Sequence, residues 1–425
     1  MTMHKPIMKT AAESELAAQF AARPKPDTAR AAAFAAFAAA GLPTRRLEAW
    51  HYTDLRAAMQ SAAPPASAPD LALIEAARPA IANIAKIGAL RIVMLDGYFA
   101  AALSDALPHG VVMSASAQFY DDVASRDAVL ALNRAFAPGQ LSLEIAAGAA
   151  LSQSIEILHF TSAGAAKAIY SRASLRLGQN SSARLIERFI GANSADQRNA
   201  AMFVEVAQGA SAMLATSIEG DCALHLESQI VRLAQGAQFK GFALVAGGAL
   251  TRRQIFATLN GLDGKISLGG LSLLDGARHA DTTLLVDHAA AGGQSREFYK
   301  HIVADTAAGV YQGKVVVRPG AQKTDGGMKS QAILISPDAI MQNKPELEIF
   351  ADDVVCGHGA TVGALDTDQV FYLQARGIPR AQAEAILLEG FGAEAIDRYN
   401  DAEAGPALKQ IQAQWLARRA TGPAS

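Results

Sequence analysis

The chain has 425 residues, 51% of them hydrophobic, with 38 lysines and arginines against 40 aspartates and glutamates, for a net charge of −2. That balance excludes a general nucleic-acid or anionic-membrane surface. Two cysteines in this length exclude a disulfide framework and fit a reducing cytoplasm.

Residues 1–60 read as helical. The stretches 11–22 and 29–40 are Ala-rich, with Phe20, Phe34 and Phe37 as sparse apolar anchors, and Pro24 and Pro26 separate them. The apolar run 31–43 is too short to cross a bilayer, and no signal-peptide cleavage pattern is evident. Residues 45–55, dense in aromatics and charge, read as a helix end packing on the body. Residues 61–70 form a Pro/Ala/Ser linker. Strands are expected at 90–95 and 111–113, and a short helix at 127–136 ends at Pro138-Gly139. This makes 70–138 a small α/β block.

From about 140 the pattern changes. Short segments alternate apolar and polar positions, as in Ser174-Leu175-Arg176-Leu177, and glycine turns separate them. Gly148, Gly178, Gly209, Gly236, Gly264, Gly292 and Gly320 recur every 27 to 31 residues, with about two strands per interval. A steady period without helices reads as stacked coils. No six-residue apolar period is present, so the expectation is mainly β: a right-handed parallel β-helix core. A β-sandwich is the competing reading. The expected divisions are 1–138 helical and small α/β, 139–365 β-helix, and 366–425 helical.

The stretch 344–377 carries the chemistry. Cys356 and His358 stand at i and i+2, so on a strand they share one side. Leu347, Ile349 and Val355 occupy the odd positions and read as core. Glu346, Glu348, Asp352, Cys356 and His358 occupy the even positions and read as outside or interface, unless a turn at Asp352-Asp353 breaks the register. Asp366 or Thr367 then caps a helix through Arg376, which Gly377 ends. Pro379 opens another helix, whose stripe of Ala381, Ala385, Leu388 and Phe391 runs to Gly392. Leu408, Ile411 and Trp415 make a last stripe.

Two kinds of chemistry are compatible with this. Many parallel β-helices act on polysaccharides, but Asp281, Asp287, Asp305 and Asp325 form no cluster at coil spacing. His279 and His288 read as satisfied surface histidines. Thiolate and imidazole both ligate iron and zinc, yet Cys356 and His358 are two ligands, and a cluster usually takes four. They are either a small buried side chain with a polar neighbour, or half a metal site that another chain completes.

Three motifs add a resemblance. Residues 344–353 (KPELEIFADD) with 356–363 (CGHGATVG), residues 371–378 (FYLQARGI), and residues 48–55 (EAWHYTDL) resemble the SufB/SufD family of the SUF iron–sulfur assembly machinery, on its SufD side. Gly357 stands where Ser is expected and His51 where Lys is expected. The resemblance implies a non-catalytic scaffold subunit; a carbohydrate-active β-helix lyase or hydrolase is the alternative. It implies a heterodimer with the paralogue SufB, a homodimer being open to the isolated chain, and attachment to the ATPase SufC. It places a transient iron–sulfur cluster at the SufB interface with His358 as a ligand and Cys356 secondary. SufC docking falls on the helices around Arg376, Gly377, Leu388 and Phe391. The family complex also binds reduced flavin, which no residue here places.

Overall fold

The computed structural model describes residues 9–24, 26–114, 127–191 and 193–421. The first eight residues of the expected N-terminal helical region and residues 115–126 of the expected α/β block lie outside these.

From Leu141–Ile145 onward consecutive strands alternate between two sheets, and within each sheet neighbours are parallel along almost the whole stack. The result is a parallel β-solenoid. The nine-stranded sheet runs from Val111–Ser114 through Leu224–Leu233 and Leu250–Leu259 to Ile340–Ile349. The ten-stranded sheet runs from Tyr98–Phe99 and Leu90–Leu95 to Asp325–Leu334 and Val355–Gly363. Strands from before residue 139 thus open both sheets.

In-register stacking puts like side chains in columns. Val204, Val231, Ala257, Val286 and Val315 form one such column inside the solenoid and belong to a single buried cluster. Because the pleat has period two, the next residue on each strand faces out. The corners need glycine for two different reasons. Gly209 and Gly236 have φ of +68° and +62°, which glycine adopts without strain. Gly178 instead lets coils approach, since a Cβ there would stand 2.6 Å from the Ala147 nitrogen.

Helices cover one outer face of each sheet. Ala11–Ala21, started by a Thr10/Glu13 capping box, and Thr28–Ala40, capped by Asp27, pack with Ala128–Phe136 on the nine-stranded sheet. Phe20 stacks on Phe34 at 4.1 Å between ring centroids. The residues read as a helix end instead form a single 3₁₀ turn, Glu48–Trp50, followed by the short helix Leu55–Ala58. A helix at Leu71–Ala82, not expected from the sequence, tolerates Pro79 inside it.

At the other end, Arg380–Tyr399 and Ala404–Thr421 cover the ten-stranded sheet. Leu388, Ile396, Tyr399, Leu408 and Trp415 are buried against Phe242, Leu271, Leu273 and Phe298. The expected end at Gly392 is corrected: the helix continues to Tyr399. Gly392 lies within it because Gln412 presses there, its Nε2 2.5 Å from where a Cβ would be.

The solenoid interior is not wholly apolar. Arg253 donates two 2.8 Å hydrogen bonds to Glu227, both side chains being buried. His288, read as a surface residue, is fully buried, and neither ring nitrogen has a hydrogen-bond partner among the described residues.

Candidate functional site

The last strand of each sheet, Ile340–Ile349 and Val355–Gly363, has one neighbour, so its far backbone edge is unpaired. Soluble proteins usually blunt such edges with charge, bulges or covering elements. Here the edge region carries exposed Ile340, Ile349, Phe350, Val355 and Val362, with Val355 72% and Phe350 61% exposed. The stack is thus open and apolar at this end, whereas the opposite end carries the antiparallel pair Leu90–Leu95 and Tyr98–Phe99.

Cys356 and His358 stand in this last coil. They share a side, as their spacing predicts, but it is the inner side, which corrects the expected outward face. Cys356 pairs with Gly326 and His358 with Met328, and both partners point into the solenoid core. On the preceding strand the inner positions are the odd ones, since Leu347 pairs with Val315. The parity switches at the Asp352-Asp353 corner. There the Asp353 N–H donates to Gln322 Oε1 at 2.9 Å and the Lys323 N–H to the Asp353 carbonyl at 2.6 Å. Val355, expected in the core, is correspondingly outside.

The two candidates differ in access. Cys356 is half-buried and packs on the apolar core. Burial pushes its thiol up from the ordinary value, with Asp325 and Glu297 adding to the rise and the Gly326 backbone opposing it. His358 is exposed because no coil lies above it. Gly357 and Gly359 have nothing within 4 Å of an added Cβ, so the backbone on either side of the imidazole is open. The second cysteine, Cys222, is buried elsewhere and its thiol is pushed up to about 11 by desolvation. Among the described residues no group of three or more His, Cys, Asp or Glu side chains converges as a metal site.

The acids weighed for polysaccharide chemistry are committed elsewhere. Asp281 pairs with Arg252, Asp287 with Arg318, Asp305 with Arg419 and Asp325 with Arg296. His279 is half-buried, its Nε2 2.8 Å from Thr53 Oγ1.

The candidate docking residues divide. Arg376 and Gly377 are exposed at the turn after Thr367–Gln374, where Gly377 has φ +84°. Leu388 is buried, and Phe391 is half-buried with Lys300 Nζ 3.9 Å from its ring centroid. The exposed apolar residues nearby are Phe371, Tyr372 and Ile386, with Phe371 71% exposed. The sequence reading did not single out Phe371 and Tyr372 for docking; they lie in the short helix just before Arg376, whose Cζ is 3.5 Å from the Tyr372 ring centroid.

Two family descriptions match the chain. One is the SufBD core domain of SUF system FeS cluster assembly, over residues 159–391, and the other is the SufBD protein N-terminal region, over residues 13–157. The iron-sulfur cluster assembly protein SufD of Escherichia coli is 30% identical over 369 residues, which cover 85% of this chain and 86% of that protein. A chloroplastic protein of Arabidopsis thaliana is 32% identical over 44% of this chain and 39% of its own length. The SufD protein of Bacillus subtilis is 35% identical over a quarter of each chain. With its solenoid, its N-terminal region and its open end accounted for together, the chain belongs to the SufB/SufD family of SUF iron–sulfur cluster assembly proteins.

Proposed function

We propose that this chain is a non-catalytic scaffold subunit of iron–sulfur cluster assembly. It pairs through its open solenoid end with a SufB-type paralogue, and a transient cluster passes through the junction as cargo. The observation that carries this reading is the last coil: an unpaired, apolar strand edge with an exposed imidazole and a half-buried thiol on one side of a single strand. His358 is the ligand this chain contributes, and Cys356 is secondary because it is half-buried against the core and burial raises its thiol, which opposes the thiolate a metal needs. Mixed ligation shared between two chains suits a site that must release its cargo. A SufC-type ATPase docks on the C-terminal helices through Phe371, Tyr372, Arg376 and Gly377, next to Ile386. The side of those helices carrying Leu388 holds them to the solenoid.

The test is anaerobic co-expression with the paralogue and the ATPase, followed by gel filtration and iron and sulfide analysis. The reading expects one complex that carries iron and sulfide. A chain that elutes alone in the presence of both partners would overturn it.

A further inference from the structure

Outward residues of four adjacent strands make a shallow concavity of about 370 Å³ on the ten-stranded sheet, away from the open end's imidazole. Its lining side chains form a grid. Met213, Lys240, Ser267 and Arg296 stack in one column, and Ser211, Gln238, Lys265 and Gln294 in the next. Stacked strands are about 4.8 Å apart. Ser267 therefore makes the dip, with Lys240 one coil before it, Arg296 one coil after it and Lys265 beside it on the same strand.

We propose that this concavity binds a phosphate-bearing small molecule, its phosphate seated over Ser267. The lining holds no carboxylate. Arg296 is fixed as a wall, with Nη2 2.5 Å from Asp325 Oδ2 and Nη1 donating to the Ser295 and Asp325 carbonyls at 2.8 and 2.9 Å. Lys240 and Lys265 make no hydrogen bond or ion pair among the described residues. Lys240 is half-buried, its Nζ 5.8 Å from the Tyr399 ring centroid. Burial pushes its ammonium down from the ordinary value, and Asp401 restores it only in part. An anion over Ser267 would supply the missing countercharge. Two ammonium groups give charge-assisted hydrogen bonds, and the Ser267 hydroxyl with the Gln238 and Gln294 amides gives neutral ones. Such a set fits a phosphate dianion better than a carboxylate, which has fewer oxygens to satisfy. Bare phosphate leaves most of the volume empty, and Met213 offers the remainder an apolar wall.

The experiment is calorimetric titration of the full chain at low ionic strength with ADP, pyrophosphate and inorganic phosphate. The expected result is saturable binding at one site per chain, with ADP or pyrophosphate tighter than inorganic phosphate. Equal affinities would assign the same site to free phosphate. The double variant Lys240→Gln/Lys265→Gln should weaken binding by about tenfold or more. Lys240→Arg/Lys265→Arg should retain it, and Lys329→Gln, an exposed lysine outside the concavity, should leave it unchanged. Absence of saturable binding by all three probes overturns the proposal. So does binding that the double glutamine variant, with an unchanged unfolding midpoint, leaves intact.

Discussion

Arg252 lies over Trp50, its Cζ 3.8 Å from the ring centroid, and its guanidinium also pairs with the buried carboxylate of Asp281. Arg252 Nη2 donates to the Ala49 carbonyl at 2.7 Å, and the Thr53 hydroxyl reaches Asp281 as well. Arg252 thus ties the segment 48–55 to the outside of the solenoid, beside contacts from His279, Gln312 and Lys344. Arg252→Ala leaves Asp281 charged and buried without its partner. The expected loss is about 3–5 kcal/mol, read by urea unfolding. A loss below about 1 kcal/mol would show that the remaining contacts suffice.

His358→Ala should separate folding from loading. The residue is exposed, so stability should change by no more than about 0.5 kcal/mol. Iron and sulfide content of the anaerobically reconstituted complex should fall sharply, and Cys356→Ser should lower it less. Full loading with His358→Ala would return this histidine to an ordinary surface role.

Stability should peak near pH 6.5. Burial lowers His225 and His288 to about 4 and His301 to about 3, against 6.5 when unfolded. Between these values the unfolded chain binds the protons, so stability falls as pH drops below 6.5. Glu297 is buried with no charged partner beside it but Arg296 among the described residues, and desolvation raises it to about 8 from 4.5, with Ser295 and Arg296 opposing only in part. Its neutral form is favoured in the fold. That contribution is complete below about 4.5 and is lost progressively as pH rises to 8. Above 6.5 the histidines no longer oppose this loss. Denaturant midpoints between pH 6.5 and 8 should therefore decline in the parent chain, and Glu297→Gln should flatten the decline.

Removing the C-terminal helices is a poor test of ATPase docking, because it would uncover Phe242, Leu271, Leu273 and Phe298. Surface changes are cleaner. Phe371→Ser with Tyr372→Ala should weaken capture of the ATPase, leave pairing with the paralogue intact and barely move the unfolding midpoint. Unchanged ATPase capture would remove this patch from consideration.

Much of the architecture was legible because the solenoid repeats one local rule, two alternating strands and a corner, and the glycine period reports that rule. The shared side of Cys356 and His358 was legible for the same reason. Which side they take was not, because it depends on how many residues the Asp352-Asp353 corner consumes, and Gln322 and Lys323 of the previous coil set that. Gly392 looked like a stop because its helical neighbour Gln412 is distant in sequence. The polar interior was hidden altogether. Glu227, Arg253 and Glu297 alternate at inward positions with Val231, Ile255 and Tyr299, but also with the buried polar residues His225, Thr251 and Ser295, and nothing local distinguishes them from outward charges.

A stack finished at one end and unfinished at the other also has a counting consequence. The first strands turn back antiparallel, Tyr98–Phe99 on Leu90–Leu95 and Val111–Ser114 on Leu141–Ile145, so the entry end offers no parallel template for another chain. If the exit end meets a second solenoid that faces the first, its strands reversed across the seam, one such encounter consumes the free edge of both molecules there, and that contact closes at two rather than running on into a filament.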